Sequence, residues 1–248
     1  MVAQAPPPAP PPPIVRQERL GRSAQGRPIG VTRIRSDGAT VRRRVLVVGC
    51  IHGDECAGRA IVARLRATTT IPTGVELLLV SNLNPDGFSL RRRQNARGVD
   101  LNRNGSAGRR DLGPPGSRSF AGPRAWSEPE SRAIRELILR ARPDVVVWYH
   151  QPLAGVDVPE AGWDGRARRY GKLVGLRVRP LPAYPGSLSR WVNERVRPGS
   201  SFVVELPPGP LRPAAARRHA TPVLALAGPA RPPGSAITRA AGGSRAAR

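Results

Sequence analysis

An α/β layered fold built on a mostly parallel sheet is what this sequence predicts, on three observations. Short apolar, β-branched runs recur along the chain at Val45 to Cys50, Val75 to Leu83, Asp144 to Tyr149 and Phe202 to Leu206. Runs of that length and composition fit strands buried on both faces. Segments with apolar residues at helical spacing lie between them, and strand–helix alternation favours parallel pairing. A length of 248 residues suits one such domain with an ample core.

The elements follow in chain order. Val31 to Arg35 alternates apolar and polar residues and reads as an early strand. The run VLVVGC from Val45 ends in a tight turn, and Cys56 to Ala67 carries Ala60, Ile61 and Leu65 at helical spacing. VELLLVSNL from Val75 is the next strand. Glu128 to Arg140 is the clearest helix, with Ser127 as N-cap, Pro129 in the first turn and Glu130 completing a capping box. DVVVWY ends at His150, and FVVEL brings Glu205 to the end of a further strand. Leu211 to Ala227 forms a last helix limited by Pro213 and Pro222.

The ends differ in kind. Ala5 to Pro13, APPPAPPPP, supports only an extended polyproline-like conformation, and Gly228 to Arg248 has nothing to bury. The domain division is therefore a Pro-rich disordered tail at 1–13, a folded domain at 14–227 and a disordered Arg/Gly/Ala-rich tail at 228–248.

The net charge of +24 invites a nucleic-acid reading, but its distribution argues against one. Lys172 is the only lysine among 41 basic residues, the arginines are spread throughout, and aromatics are 4%. A nucleic-acid surface would concentrate its charge and interleave aromatics, so no nucleic acid is expected as partner. The charge still suits acidic substrates or an anionic envelope. No run of 18 apolar residues predicts a membrane span, and the chain as given shows no signal peptide. Ala3-Gln4-Ala5 ahead of the proline tail resembles a cleavage region, which leans localisation toward the cell envelope or secretion over the cytoplasm. Cys50 and Cys56 do not make a disulfide framework and read as two small buried apolar residues.

Three histidines occur, His52, His150 and His219. A His-x-x-Glu pair such as His52 and Glu55 arises by chance in about one chain in nine of this composition. Alone it is weak. His150 at the end of a neighbouring strand strengthens it, because two imidazoles and a carboxylate suit zinc and leave a position open for catalysis. His219, among Arg and Ala, reads as a surface residue. His52, Asn84, His150 and Glu205 all fall at strand ends, where sites form in such sheets. Asn102 and Arg103, with a second arginine near, supply a fork and an amide matched to a carboxylate. Glu205 in its apolar strand should have a raised pKa from desolvation.

Taken together, HGDE at His52, NPDG at Asn84, RQNARGVDLNRN from Arg93, SEPE at Ser127, HQP at His150 and FVVELP at Phe202 resemble the M14 zinc carboxypeptidases. The likeness is greatest to the compact bacterial branch that includes murein peptide amidases. The resemblance implies a three-layer αβα domain with a mostly parallel mixed sheet, and one Zn²⁺ per chain on His52, Glu55 and His150. Asp100 would orient the His52 imidazole. Arg93 would polarise the scissile carbonyl, while Asn102 and Arg103 would grip the substrate carboxylate. Glu205 would act as general base on the zinc-activated water, and Tyr184 stands nearest to the family's active-site tyrosine. The implied substrate is a peptide with a free C-terminal carboxylate, peptidoglycan-derived peptides among the candidates, cut at a γ-D-glutamyl-diaminopimelate bond in relatives of this type. A monomer is expected. A deacylase of N-acyl amino acids on the same fold, and a non-catalytic binder of envelope polyanions, are the alternatives.

Overall fold

The computed structural model describes residues 12–158, 165–196 and 200–227. Apart from residues 12 and 13, both expected tails lie outside the described residues. Eight strands form one mixed sheet: β1 (Ile14–Arg22), β2 (Pro28–Arg35), β3 (Arg43–Val48), β4 (Val75–Val80), β5 (Val145–His150), β6 (Gly155–Asp157), β7 (Arg177–Arg179) and β8 (Ser200–Glu205). Their order is β1-β2-β4-β3-β5-β8-β6-β7. The four central strands are parallel and fully apolar along most of their length, as strands covered on both faces must be. Antiparallel pairing enters at β1–β2, β2–β4 and β6–β8.

Alternation along β3 shows how the three layers are held. Val45 and Val47 point into one core with α1 (Gly58–Arg66), α4 (Arg166–Val174) and α6 (Pro213–Leu226). Leu46 and Val48 point into the other, with α3 (Pro129–Ala141) and α5 (Leu188–Arg195). A short helix, α2 (Pro85–Ser89), follows β4 directly and is capped by the Asn84 side chain, which accepts from Gly87 N at 2.9 Å. No helix of the described residues is long and apolar enough to cross a membrane.

Several expectations need correction. The early strand starts at Pro28, and β1, an edge strand with few apolar residues, pairs with it unannounced by any periodicity. Helix α3 has no capping box: Glu128 is its N-cap, and Ser127 Oγ donates to Glu128 Oε1 at 2.8 Å. Glu130 turns inward instead, accepting from Ala24 N at 2.9 Å and Asn95 Nδ2 at 3.2 Å. Helix α6 keeps Pro222 in its interior at the cost of one backbone bond. Cys50 and Cys56 are not separate small residues but form a disulfide, because the turn after β3 brings their Cα atoms to 4.6 Å. His219 is no surface residue. It is 1% exposed, on the α6 face that also buries Ala216, Ala220 and Val223.

Candidate metal centre and active site

His52 and Glu55 sit in the tight turn between β3 and α1, a place the sequence shapes with glycine. A Cβ on Gly53 would run into the backbone of Gly87, so the turn packs directly on α2. His150 ends β5, two strand positions from the turn in space, and Glu205 ends β8 directly opposite it in the parallel register. Three donor atoms converge there. His52 Nδ1 lies 2.9 Å from Glu55 Oε2, His150 Nδ1 lies 3.0 Å from the same oxygen, and the two Nδ1 atoms are 3.1 Å apart.

The tautomer of His52 follows from its other nitrogen. Nε2 is 3.0 Å from Asp100 Oδ1, a buried carboxylate held far below the usual range: burial opposes its charge, but His52, Arg93 and Arg103 outweigh it. An ionised Asp100 only accepts, so Nε2 carries the proton and Nδ1 presents its lone pair. Burial likewise opposes charge on Glu55, and hydrogen bonds with His150 and His52 hold it well below the carboxylate range. Burial disfavours a charged His52, yet Asp100 and Glu55 raise its pKa. The set is thus rich in lone pairs aimed at one point. Zinc with bonds of about 2.0–2.1 Å in a tetrahedron needs donors roughly 3.3 Å apart, a few tenths beyond the distances observed. The donor types and spacing fit a divalent zinc ion, and these residues could hold one.

The surroundings extend the geometry. Arg93 Nη1 donates to Glu55 Oε1 at 2.8 Å and Nε to Asp100 Oδ2 at 2.9 Å, tying a metal-facing carboxylate to the carboxylate that orients His52. Asp100 also caps the turn at Leu101–Arg103 by accepting from Asn102 N at 2.9 Å. Asn102 Oδ1 accepts from Leu188 N at 3.0 Å, which fixes the amide, and the Arg103 guanidinium stacks 4.3 Å over the Tyr184 ring. Gly186, at φ +71°, lets the Tyr184 turn close on the Arg103 backbone.

All of these line one cavity of about 750 Å³, together with Glu205. Glu205 Oε2 is buried with no hydrogen-bond partner among the described residues, as is His150 Nε2. Burial raises the Glu205 pKa, with the Glu55 charge adding to it and His150 opposing. Every residue expected at the site therefore lines or borders the cavity, Asp100 from just behind it. Sequence reasoning missed others on its wall, Arg118, Asp157, Asn193 and Glu194. Each lies in a loop or helix without a chemical pattern of its own. Gln151 was quoted but given no task; its side chain accepts from Ala57 N at 3.0 Å and donates to Pro207 O and Gly209 O at 2.8 Å, bracing the turn against the β8 exit.

Comparison with known proteins agrees with this geometry. The zinc carboxypeptidase family model, Peptidase M14, matches residues 9–152. Murein peptide amidase A of Vibrio campbellii is 35% identical over 179 residues, 66% of this chain and 70% of that protein. Its Escherichia coli K12 counterpart is 35% identical over 132 residues, covering 49% and 54% of the two chains. Among solved structures, the murein-tripeptide amidase of Escherichia coli O157 superposes with a TM-score of 0.65 at 26% identity, covering 85% of this chain and 90% of that one. Carboxypeptidase A of Helicoverpa armigera, at 18% identity and a TM-score of 0.73 over 86% and 68% of the chains, shares the fold.

Proposed function

The chain belongs to the M14 family of zinc carboxypeptidases, and on that premise we propose that it cleaves a murein peptide at the γ-D-glutamyl-diaminopimelate bond. It is a peptide hydrolase whose cofactor is zinc. The observation that carries the reading is the convergence of His52, Glu55 and His150 within 3.1 Å beside an unpartnered Glu205 oxygen in one cavity.

His52 Nδ1, Glu55 and His150 Nδ1 would hold the ion, which acts as Lewis acid and lowers the pKa of water to about 7. Asp100 keeps His52 in the tautomer that ligates. Glu205, its pKa raised toward neutrality, takes a proton from the attacking water and returns it to the leaving amine nitrogen. The Arg93 guanidinium stands beside Glu55 and supplies positive charge for the carbonyl oxygen as it becomes anionic. Arg103 and Asn102 grip the terminal carboxylate of the substrate, and Tyr184 borders the grip. The murein substrate rests on the printed activity of the bacterial relatives.

The test offers three substrates to the zinc-loaded protein: a murein tripeptide, a series of ordinary C-terminal dipeptides, and an N-acetyl amino acid. Release of diaminopimelate from the tripeptide, abolished by 1,10-phenanthroline and restored by zinc, is the expected result. Cleavage confined to the dipeptides or the N-acetyl compound would move the substrate elsewhere, and cleavage of none would sink the reading.

A further inference from the structure

The far end of the sheet holds a second concave site with different chemistry. Arg35 ends β2, Ile14 and Arg16 begin β1, and Arg44 and Glu76 begin β3 and β4, so these residues share the end opposite the metal cluster. Cross-strand register puts them on one face: Ile14 pairs with Arg35, Arg16 with Arg33, Arg35 with Glu76 and Arg44 with Glu76. A cavity of about 310 Å³ opens there.

Its charges do not cancel. Glu76 is 6% exposed and both its oxygens are spent, Oε1 on Arg33 Nη1 at 3.0 Å and Oε2 on Arg44 Nε at 2.9 Å. Glu18 lies at the rim, 2.9 Å from Arg33 Nε, yet that buried nitrogen gains no hydrogen bond from it. Arg16 and Arg35 engage no carboxylate among the described residues. Four guanidiniums thus face two carboxylates, and Arg16 sits directly opposite Arg33, an arrangement of like charges that costs stability in an isolated sheet. Planar guanidinium forks are the side chains best matched to phosphate and carboxylate oxygens.

We propose that this cavity binds a small multivalent oxyanion, with Arg16 and Arg35 supplying the free forks and Arg33 and Arg44 fixed in place by Glu76. The site is independent of the metal cluster and of the peptide substrate.

Titration calorimetry with inorganic pyrophosphate on the full chain tests it. Binding to the wild type should fall at least about tenfold in Arg16→Ser/Arg35→Ser. A control that removes the same charge elsewhere, Arg140→Ser/Arg217→Ser, should retain it. The single variant Arg35→Glu, which places a carboxylate at the cavity, should abolish it. Thermal melting and zinc content check that each variant is folded. Citrate as a second probe separates sources: selectivity for pyrophosphate assigns a phosphoryl ligand, and selectivity for citrate a polycarboxylate, either supporting the site. Equal weakening in both double variants would reduce the effect to net charge and overturn the proposal, as would absence of binding to the wild type by either probe.

Discussion

Tyr149 and His150 are neighbours on β5 that point to opposite faces of the sheet, and each anchors a buried polar cluster. Behind the sheet, Tyr149 Oη lies 2.8 Å from Tyr170 Oη, which lies 2.8 Å from His219 Nδ1. Burial holds both phenols protonated and drives the His219 pKa down to about 4. A single direction of donation satisfies the chain: Tyr149 to Tyr170 to the lone pair of a neutral His219. In front of the sheet, His150, His52 and Glu55 aim acceptors at one another, and both His150 Nε2 and Glu205 Oε2 lack partners among the described residues. The difference teaches how to tell structure from chemistry in a buried polar cluster. A cluster whose donors and acceptors close on themselves needs nothing further; one left with orphaned groups in a cavity is built to receive something.

The sharpest way to break this contrast is to remove one member from each side. His52→Ala should abolish stoichiometric zinc binding and peptide hydrolysis, read by metal analysis and a cleavage assay. His219→Gln should leave both unchanged. If the His219 variant lost zinc or activity while remaining folded, the rear cluster would no longer count as purely structural.

Acid titration separates the clusters by stability. His219 has a folded pKa near 4 against 6.5 for the free side chain, so the unfolded chain takes up the proton first. Stability should therefore fall as pH drops from about 6.5 and level off below about 4, by on the order of 3 kcal/mol. Denaturant melts across that window should show the loss, and His219→Gln should flatten it.

Smaller effects sharpen the picture. Asp100→Asn keeps the shape but weakens the charge that fixes the His52 tautomer, and zinc affinity should fall about 10–100-fold. Competition with a fluorescent chelator measures it. Tyr149→Phe removes one closed hydrogen bond and should cost about 1 kcal/mol of stability with no change in hydrolysis.

Much of this was legible in the sequence, unevenly. The central strands announced themselves as β-branched runs, and their ends carried His150 and Glu205 to the site because parallel strands deliver their C-termini to one edge. The Asp100 and Arg93 contacts were reachable only through resemblance, since nothing in an Arg-rich loop distinguishes a buried guanidinium from a solvated one. The Cys50–Cys56 pairing depended on the turn's path, which spacing alone does not fix. His219 was misread for a different reason. Its neighbours are polar, but residues 216, 219, 220 and 223 share one helical face, and that period held the correct answer. Edge strand β1 had no such period to read.

The most direct test of the central claim is zinc stoichiometry measured together with cleavage of the murein tripeptide, in the wild type and in Glu205→Gln. The account predicts one zinc per chain in both proteins, with cleavage lowered about 10²–10⁴-fold in the variant. Undiminished cleavage by Glu205→Gln, or a wild type that holds no zinc under metal-replete conditions, would contradict it.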